Sequence, residues 1–317
     1  MQRFRFDLSL PPQHIAWGDY LAAATAADDL TFETFWTWDH LLPISGNLHG
    51  SEFECYTTMA ALAQATKRVR IGALVSGVVY RNPALQIKMA TQIDVISNGR
   101  FDFGIGAAWA AREFRRFDIP FPPPRERIGI MRETLHLATL LWSGDPRREV
   151  TYDGKYVHAR DLSLNPQPVQ RPHPPILVGG GGEQLTLRVA AHYADMWHGF
   201  GDPRTLKRKV DLLDRYAPHY GRDGRDIAKS TTVSIWVGDL RGGSATRLAQ
   251  ATGLSPEELR NSFMYGGPSD IEQQLRAYVD VGITHFVVNA IGVEFVDNWK
   301  RICDQIVPRF SGVRSLT

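Results

Sequence analysis

Eight short segments with strand character recur along this 317-residue chain, each followed by a segment with helical character, and that rhythm leaves few architectures open. The strand segments are residues 3–8, 32–38, 69–75, 101–105, 175–178, 195–199, 231–237 and 285–290. The helical segments are residues 16–30, 56–67, 83–96, 125–142, 183–193 and 203–217, a helix opened by Pro268, and residues 295–307. Pro83 stands at a helix start, where its missing N–H costs nothing, and Asn98-Gly99 supplies a stop. Eight such units predict an α/β fold of the (β/α)8 barrel type, formed as a single domain over residues 1–317. A doubly wound sheet fits less well, because the first strand runs into Pro11-Pro12 instead of a glycine fingerprint. Two stretches break the rhythm. Residues 144–175 carry Asp153-Gly154 between β-prone runs and read as a hairpin insertion after the fourth helix. Residues 240–264, with Ser255-Pro256-Glu257-Glu258 as a helix start, read as a helical excursion after the seventh strand.

Composition removes several classes of function. A net charge of +2 gives no global case for nucleic acid or membrane binding. No apolar run approaches the roughly 18 residues of a membrane span, and residues 1–10 lack the apolar centre of a secretion signal. The two cysteines, Cys55 and Cys303, lie too far apart in sequence for a metal spacing. They give no disulfide framework, and a reducing cytoplasm is the expected location. The chain has no HExxH, CxxC, GxSxG or GxxxxGK[ST] motif, so neither a metal site nor an activated serine is expected.

A βα barrel places its chemistry where the strands end at their C-termini. The residues just past each predicted strand are therefore the candidates: His14; Asp39 and His40; Ser76, Gly77 and Arg81; Gly106 to Arg112; Gly179 to Glu183; and His198. Asp39-His40 is a titratable pair able to move protons, or else a solvated loop start. The run Gly179, Gly180, Gly181, Gly182 lets backbone approach a ligand ahead of a helix N-terminus, which suits a phosphate; it also reads as a tight turn. Arg112, Arg115, Arg116, Arg125 and Arg127 form a cluster that either holds an anionic cofactor tail or is a solvated face. Trp38 and Trp109 either pack on a planar ring or an apolar substrate or are ordinary barrel and interface filler, with His14, Glu113 and His198 beside them in the expected substrate pocket.

Longer stretches then carry a family resemblance. They are residues 38–43, 70–77 and 80–83; residues 94–101 leading to Gly104-Ile105-Gly106-Ala107-Ala108-Trp109; residues 117–127; and residues 175–195. In this order, over nearly the whole chain, they resemble the luciferase-like flavin and deazaflavin oxidoreductases, and most of all the branch that uses coenzyme F420. The resemblance implies a barrel with an insertion, often a homodimer, and a non-proline cis peptide between Leu74 and Val75. It implies that Asp39 and His40 line the deazaflavin site, with His40 a proton-transfer or electrostatic group. Leu74, Val75, Ser76, Gly77, Gly106, Ala107, Ala108 and Arg112 would surround the cofactor, and the turn Gly179 to Gly182 would hold its phosphate. The implied activity is hydride transfer between the deazaflavin and a small organic substrate. An FMN-dependent monooxygenase using oxygen and a reductase partner is the alternative, and a flavin-binding barrel without turnover a third. The chain departs from the sugar-phosphate dehydrogenases of the family at Trp109, where they place a catalytic Glu; Glu113 lies nearby in sequence.

Overall fold

A computed structural model describes residues 4–142 and 144–310. Arg3, where the sequence places the start of the first strand, lies outside the described residues. The strands are β1 (Arg5–Ser9), β2 (Thr34–Thr37), β3 (Arg70–Ala73), β4 (Ser76–Gly77), β5 (Phe101–Gly106), β6 (Val150–Asp153), β7 (His158–Leu162), β8 (Ile176–Gly179), β9 (Met196–His198), β10 (Ala228–Val233), β11 (Ile235–Val237), β12 (Met264–Gly266) and β13 (His285–Asn289). Eight of them pair in parallel in the order β1-β2-β3-β5-β8-β9-β10-β13, and β13 returns to β1 with Arg5 opposite His285. The sheet is thus closed, as the alternation predicts. The peptide between Leu74 and Val75 is cis, and beyond it β4 continues alongside β5.

The helices are α1 (Trp17–Asp29), α2 (Cys55–Ala65), α3 (Pro83–Ile96), α4 (Ala111–Arg116), α5 (Pro124–Trp142), α6 (Thr186–Tyr193), α7 (Pro203–Tyr216), α8 (Gly242–Thr252), α9 (Pro256–Ser262), α10 (Pro268–Val279) and α11 (Val296–Arg301). None of the described helices is long and apolar enough to cross a membrane. Local chemistry explains their limits. The Asn82 side chain accepts from Leu85 N to cap α3, with Pro83 in its first turn. Glu54 accepts from Tyr56 N and Thr57 N at the head of α2. The insertion forms the antiparallel hairpin β6–β7. Two expectations need correction. The predicted strand 231–237 is two strands: β10 starts earlier, at Ala228, and β11 leaves the barrel to pair with β12. Helix α4 was not expected, because six residues are too few for a 3.6-residue pattern to show.

The barrel floor is polar. Asp102 accepts from Arg70 (2.6 Å), Thr34 (2.9 Å) and Arg5 (3.0 Å), while Asp7 accepts from Arg5 (2.9 Å) and Trp36 (3.0 Å). Small residues admit this packing. A Cβ on Gly104 would lie 1.9 Å from the Ala73 carbonyl oxygen, and backbone cannot swing aside as a flexible side chain does. Gly104→Ala is expected to cost about 3 kcal/mol, the upper part of the overpacking range. A urea midpoint within error of wild type would contradict this.

Candidate active site

A cavity of about 500 Å3 opens at the C-terminal ends of the barrel strands. Its wall brings together Trp38, Asp39, His40, Leu74, Val75, Gly77, Gly106, Ala107, Ala108, Trp109, Gly179, Gly180 and His198, all expected from sequence, and adds Ile44, Tyr80, Thr186 and Phe200. Val75 projects between two strand ends. A Cβ on Gly106 would come within 2.6 Å of Val75 Cγ2, and one on Gly179 within 2.7 Å of Val75 Cγ1. Glycine at both positions therefore leaves room for Val75 and for a flat ligand beside it.

Asp39 and His40 follow β2 and do different work. Asp39 is buried and accepts from both Arg81 amino groups (2.7 and 2.9 Å), from Ser76 Oγ (2.7 Å) and from Gly77 N (3.2 Å). With its oxygens so engaged, it braces the segment after the cis peptide. His40 is held from behind. Its Nδ1 lies 2.8 Å from Glu113 Oε1, and its ring meets Trp38 and Trp109 edge-on. Glu113 Oε2 accepts from Leu41 N (2.9 Å) and from the Tyr80 hydroxyl (2.8 Å). Burial disfavours the charged Glu113, but the hydrogen bonds from His40, Leu41 N and Tyr80 outweigh it and hold this carboxyl below the usual carboxylate range. Burial and the neighbouring Glu113 push the Tyr80 phenol up, so it stays protonated and donates. With Nδ1 engaged, Nε2 is the His40 nitrogen left to meet a ligand in the cavity.

Such a carboxyl makes stability depend on pH. Its folded-state value is depressed, so its contribution is present above the ordinary glutamate range and is lost as pH falls through the folded value. Wild type is expected to melt above Glu113→Gln at pH 7, the gap closing on acidification below about pH 4. A gap that widens in acid would reverse the assignment.

Several expected site residues lie off the cavity wall. Glu113 sits behind His40 and acts only through it. Ser76 is buried between Asp39 and Gln86. Arg112 reaches the Pro43 carbonyl instead of the cavity. His14 was expected in the substrate pocket. It adopts φ +56° in the loop after β1, turns away, and bonds through Nε2 to the Ser45 carbonyl (2.8 Å) beside a different cavity. His198 does reach the wall, yet its Nδ1 meets Ser230 Oγ (2.9 Å) and its Nε2 Thr232 Oγ1 (3.2 Å). Burial pushes it down to about 3, so it is a neutral wall residue.

The glycine turn is longer than expected, because α6 starts at Thr186 and not at Glu183. Gly179 and Gly180 face the cavity, whereas Gly181 and Gly182 lie beside it. A Cβ on Gly181 would lie 2.5 Å from Lys209 Nζ, and one on Gly182 would lie 2.7 Å from Thr186 Oγ1. A cation and a hydroxyl thus converge on bare backbone at a helix start, a cradle suited to a phosphate. Sequence reasoning missed Lys209, which in the sequence is one more basic residue on an amphipathic helix.

With this geometry in hand, comparison with known proteins is informative. Residues 3–241 match the model of the luciferase-like monooxygenase family. The chain belongs to that family. It is 30% identical over 325 residues to the F420-dependent glucose-6-phosphate dehydrogenase of Amycolatopsis mediterranei, covering 92% of this chain and 94% of that one. An F420-dependent secondary alcohol dehydrogenase, solved with an F420-acetone adduct, superposes with a TM-score of 0.79 at 20% identity, covering 95% of this chain and 98% of that one. The oxygenating constituent of 3,6-diketocamphane monooxygenase of Pseudomonas putida, solved with FMN, superposes over 100% of both chains with a TM-score of 0.75 at 17% identity. At such identities the two structures speak for the fold of this luciferase-like protein.

Proposed function

We propose that this luciferase-like protein is a coenzyme F420-dependent oxidoreductase that transfers a hydride between the deazaflavin and a small, apolar organic substrate. The observation that carries this reading is His40: one ring nitrogen is anchored to Glu113, and the other is left for a ligand in an apolar cavity bounded by Val75 and glycine. The residues present fit the cofactor. Gly106 and Gly179 leave space beside Val75 for a flat ring, and Lys209, Thr186 and the glycine turn offer a phosphate cradle. When bound, the deazaflavin supplies or accepts the hydride. His40 Nε2 then gives or takes the proton at the substrate oxygen, so that a carbonyl and an alcohol interconvert with balanced charge. Glu113 fixes the ring, while Tyr80 and Leu41 N fix Glu113.

The wall also bears on the substrate. Among the described residues lining the cavity there is no Lys or Arg, and Trp109, two-thirds exposed, stands at the mouth with Phe200. This suits an apolar alcohol or ketone better than a sugar phosphate. Trp109→Ala is expected to raise KM for such a substrate about tenfold with kcat within a few-fold, the loss of one apolar contact. Steady-state kinetics on both proteins checks it.

Binding titrations of the apo-protein with F420 and with FMN test the cofactor. Tighter binding of F420 supports hydride transfer. Tighter binding of FMN would replace it with the oxygen-using monooxygenase reading, and binding of neither would remove the enzyme reading itself.

A further inference from the structure

A second cavity, of about 1010 Å3, lies outside the first, between α5, the β6–β7 hairpin and α6. Its lining carries four cations, Arg125, Arg132, Lys155 and Arg188, against one carboxylate, Glu126. Their charge is poorly neutralised. Arg132 comes no nearer than 3.8 Å to Glu133, whose other oxygen accepts from Tyr156 N and Val157 N. The Arg188 guanidinium lies over the Tyr216 ring at 4.2 Å, and the Lys155 ammonium over Tyr156 at 5.0 Å, contacts that leave both charges uncancelled. Arg125 has no ion pair among the described residues. Burial first, then His136, Arg222 and Arg132, depress the protonation of His192 in the same cleft, as expected where the field is positive.

The two cavities share a wall. Thr186 lines the first, and Leu185, Arg188 and Val189 line the second, so both open on the first turn of α6, beside the phosphate cradle. We propose that the outer cleft is a second ligand site that takes a linear polyanion, a chain of carboxylates or phosphates, leading away from the glycine turn. Two sources supply that chemistry. One is the acidic chain that F420 carries beyond its phosphate, an occupant that rests on the function proposed above. The other is a free polyanion.

Fluorescence titrations of the apo-protein with F420 bearing several glutamates and with the form lacking them separate these sources, beside calorimetry with a tetraglutamate peptide. Wild type is compared with Arg125→Glu/Arg188→Glu, at two exposed positions that are absent from the inner cavity. The tailed cofactor is expected to bind about tenfold more tightly than the tailless one. High salt and the double variant should each erase that advantage, and the salt series needs no mutant to fold. Equal binding of the two cofactors, with tetraglutamate held by wild type and released by the variant, supports the free polyanion. Equal binding with no tetraglutamate affinity overturns the site. If neither cofactor binds, the F420 reading falls, and the peptide still decides the cleft.

Discussion

His40→Asn is expected to lower kcat by about 10²- to 10⁴-fold while leaving cofactor affinity within a few-fold of wild type. Asparagine is close in size and polarity to the imidazole, so the wall between Trp38 and Trp109 survives while the titrating nitrogen is lost. Glu113→Gln is expected to cost roughly tenfold. An amide oxygen can still accept from Nδ1, but the bond is no longer made to a carboxylate and holds the ring more weakly. Because Glu113 lies off the cavity wall, its variant should change kcat far more than KM. Stopped-flow measurement of cofactor reduction under saturating substrate reads the step directly. A wild-type rate in His40→Asn, with cofactor bound, would remove His40 from the chemistry.

The second large effect is structural. Asp102→Ala is expected to lower unfolding free energy by about 3–5 kcal/mol, the range for removing one member of a buried ionic network. Asp102 lies at the barrel floor between Arg5 and Arg70, and both guanidinium groups bond its carboxylate. Arg5 keeps Asp7, but Arg70 would lose its carboxylate partner and face Arg5 without a countercharge. Burial disfavours the charged Asp102, and the two arginines more than reverse it, leaving this carboxyl below its ordinary range. Its contribution is therefore full at neutral pH and lost as pH falls through the folded value. Equilibrium urea unfolding at pH 7 measures the loss, and a difference below 1 kcal/mol would mean that the floor is held mainly by its apolar neighbours.

The barrel was legible because strands and helices of a βα unit differ in period, and because punctuation fell at their ends. Helix α3 runs from Pro83 to Ile96 as predicted, since proline, the Asn82 cap and Asn98-Gly99 are all local signals. What failed was non-local. The break between β10 and β11 depends on a partner strand, Met264–Gly266, that a three-residue segment cannot announce. In the site, Asp39, His40, Gly77, Gly106 to Trp109, Gly179, Gly180 and His198 could be named from topology alone, whereas Leu74 and Val75 came from the family resemblance. The pairing of His40 with Glu113 spans 73 positions, and nothing in either residue's neighbourhood signals it. His14 misled because a strand-end rule assumes that the loop turns inward, whereas its backbone turns the other way. Lys209 and Tyr80 reach the site from helix and loop positions that read as ordinary surface and packing.

Beyond Ser234 the chain leaves the barrel for β11, α8, α9 and β12, and these elements close over their own apolar cluster of Trp236, Leu240, Leu248, Leu259 and Phe263, joined by Phe295. The excursion is in that sense a separate compartment with a small core of its own, tied to the main core through Ile235 and Val237. Sequence drift, lengthening or wholesale exchange there would leave the strand pairings and the His40–Glu113 contact untouched. A lineage could therefore remodel this tenth of the molecule while inheriting the same reactive centre, and relatives that share the barrel chemistry should diverge most freely between residues 235 and 266.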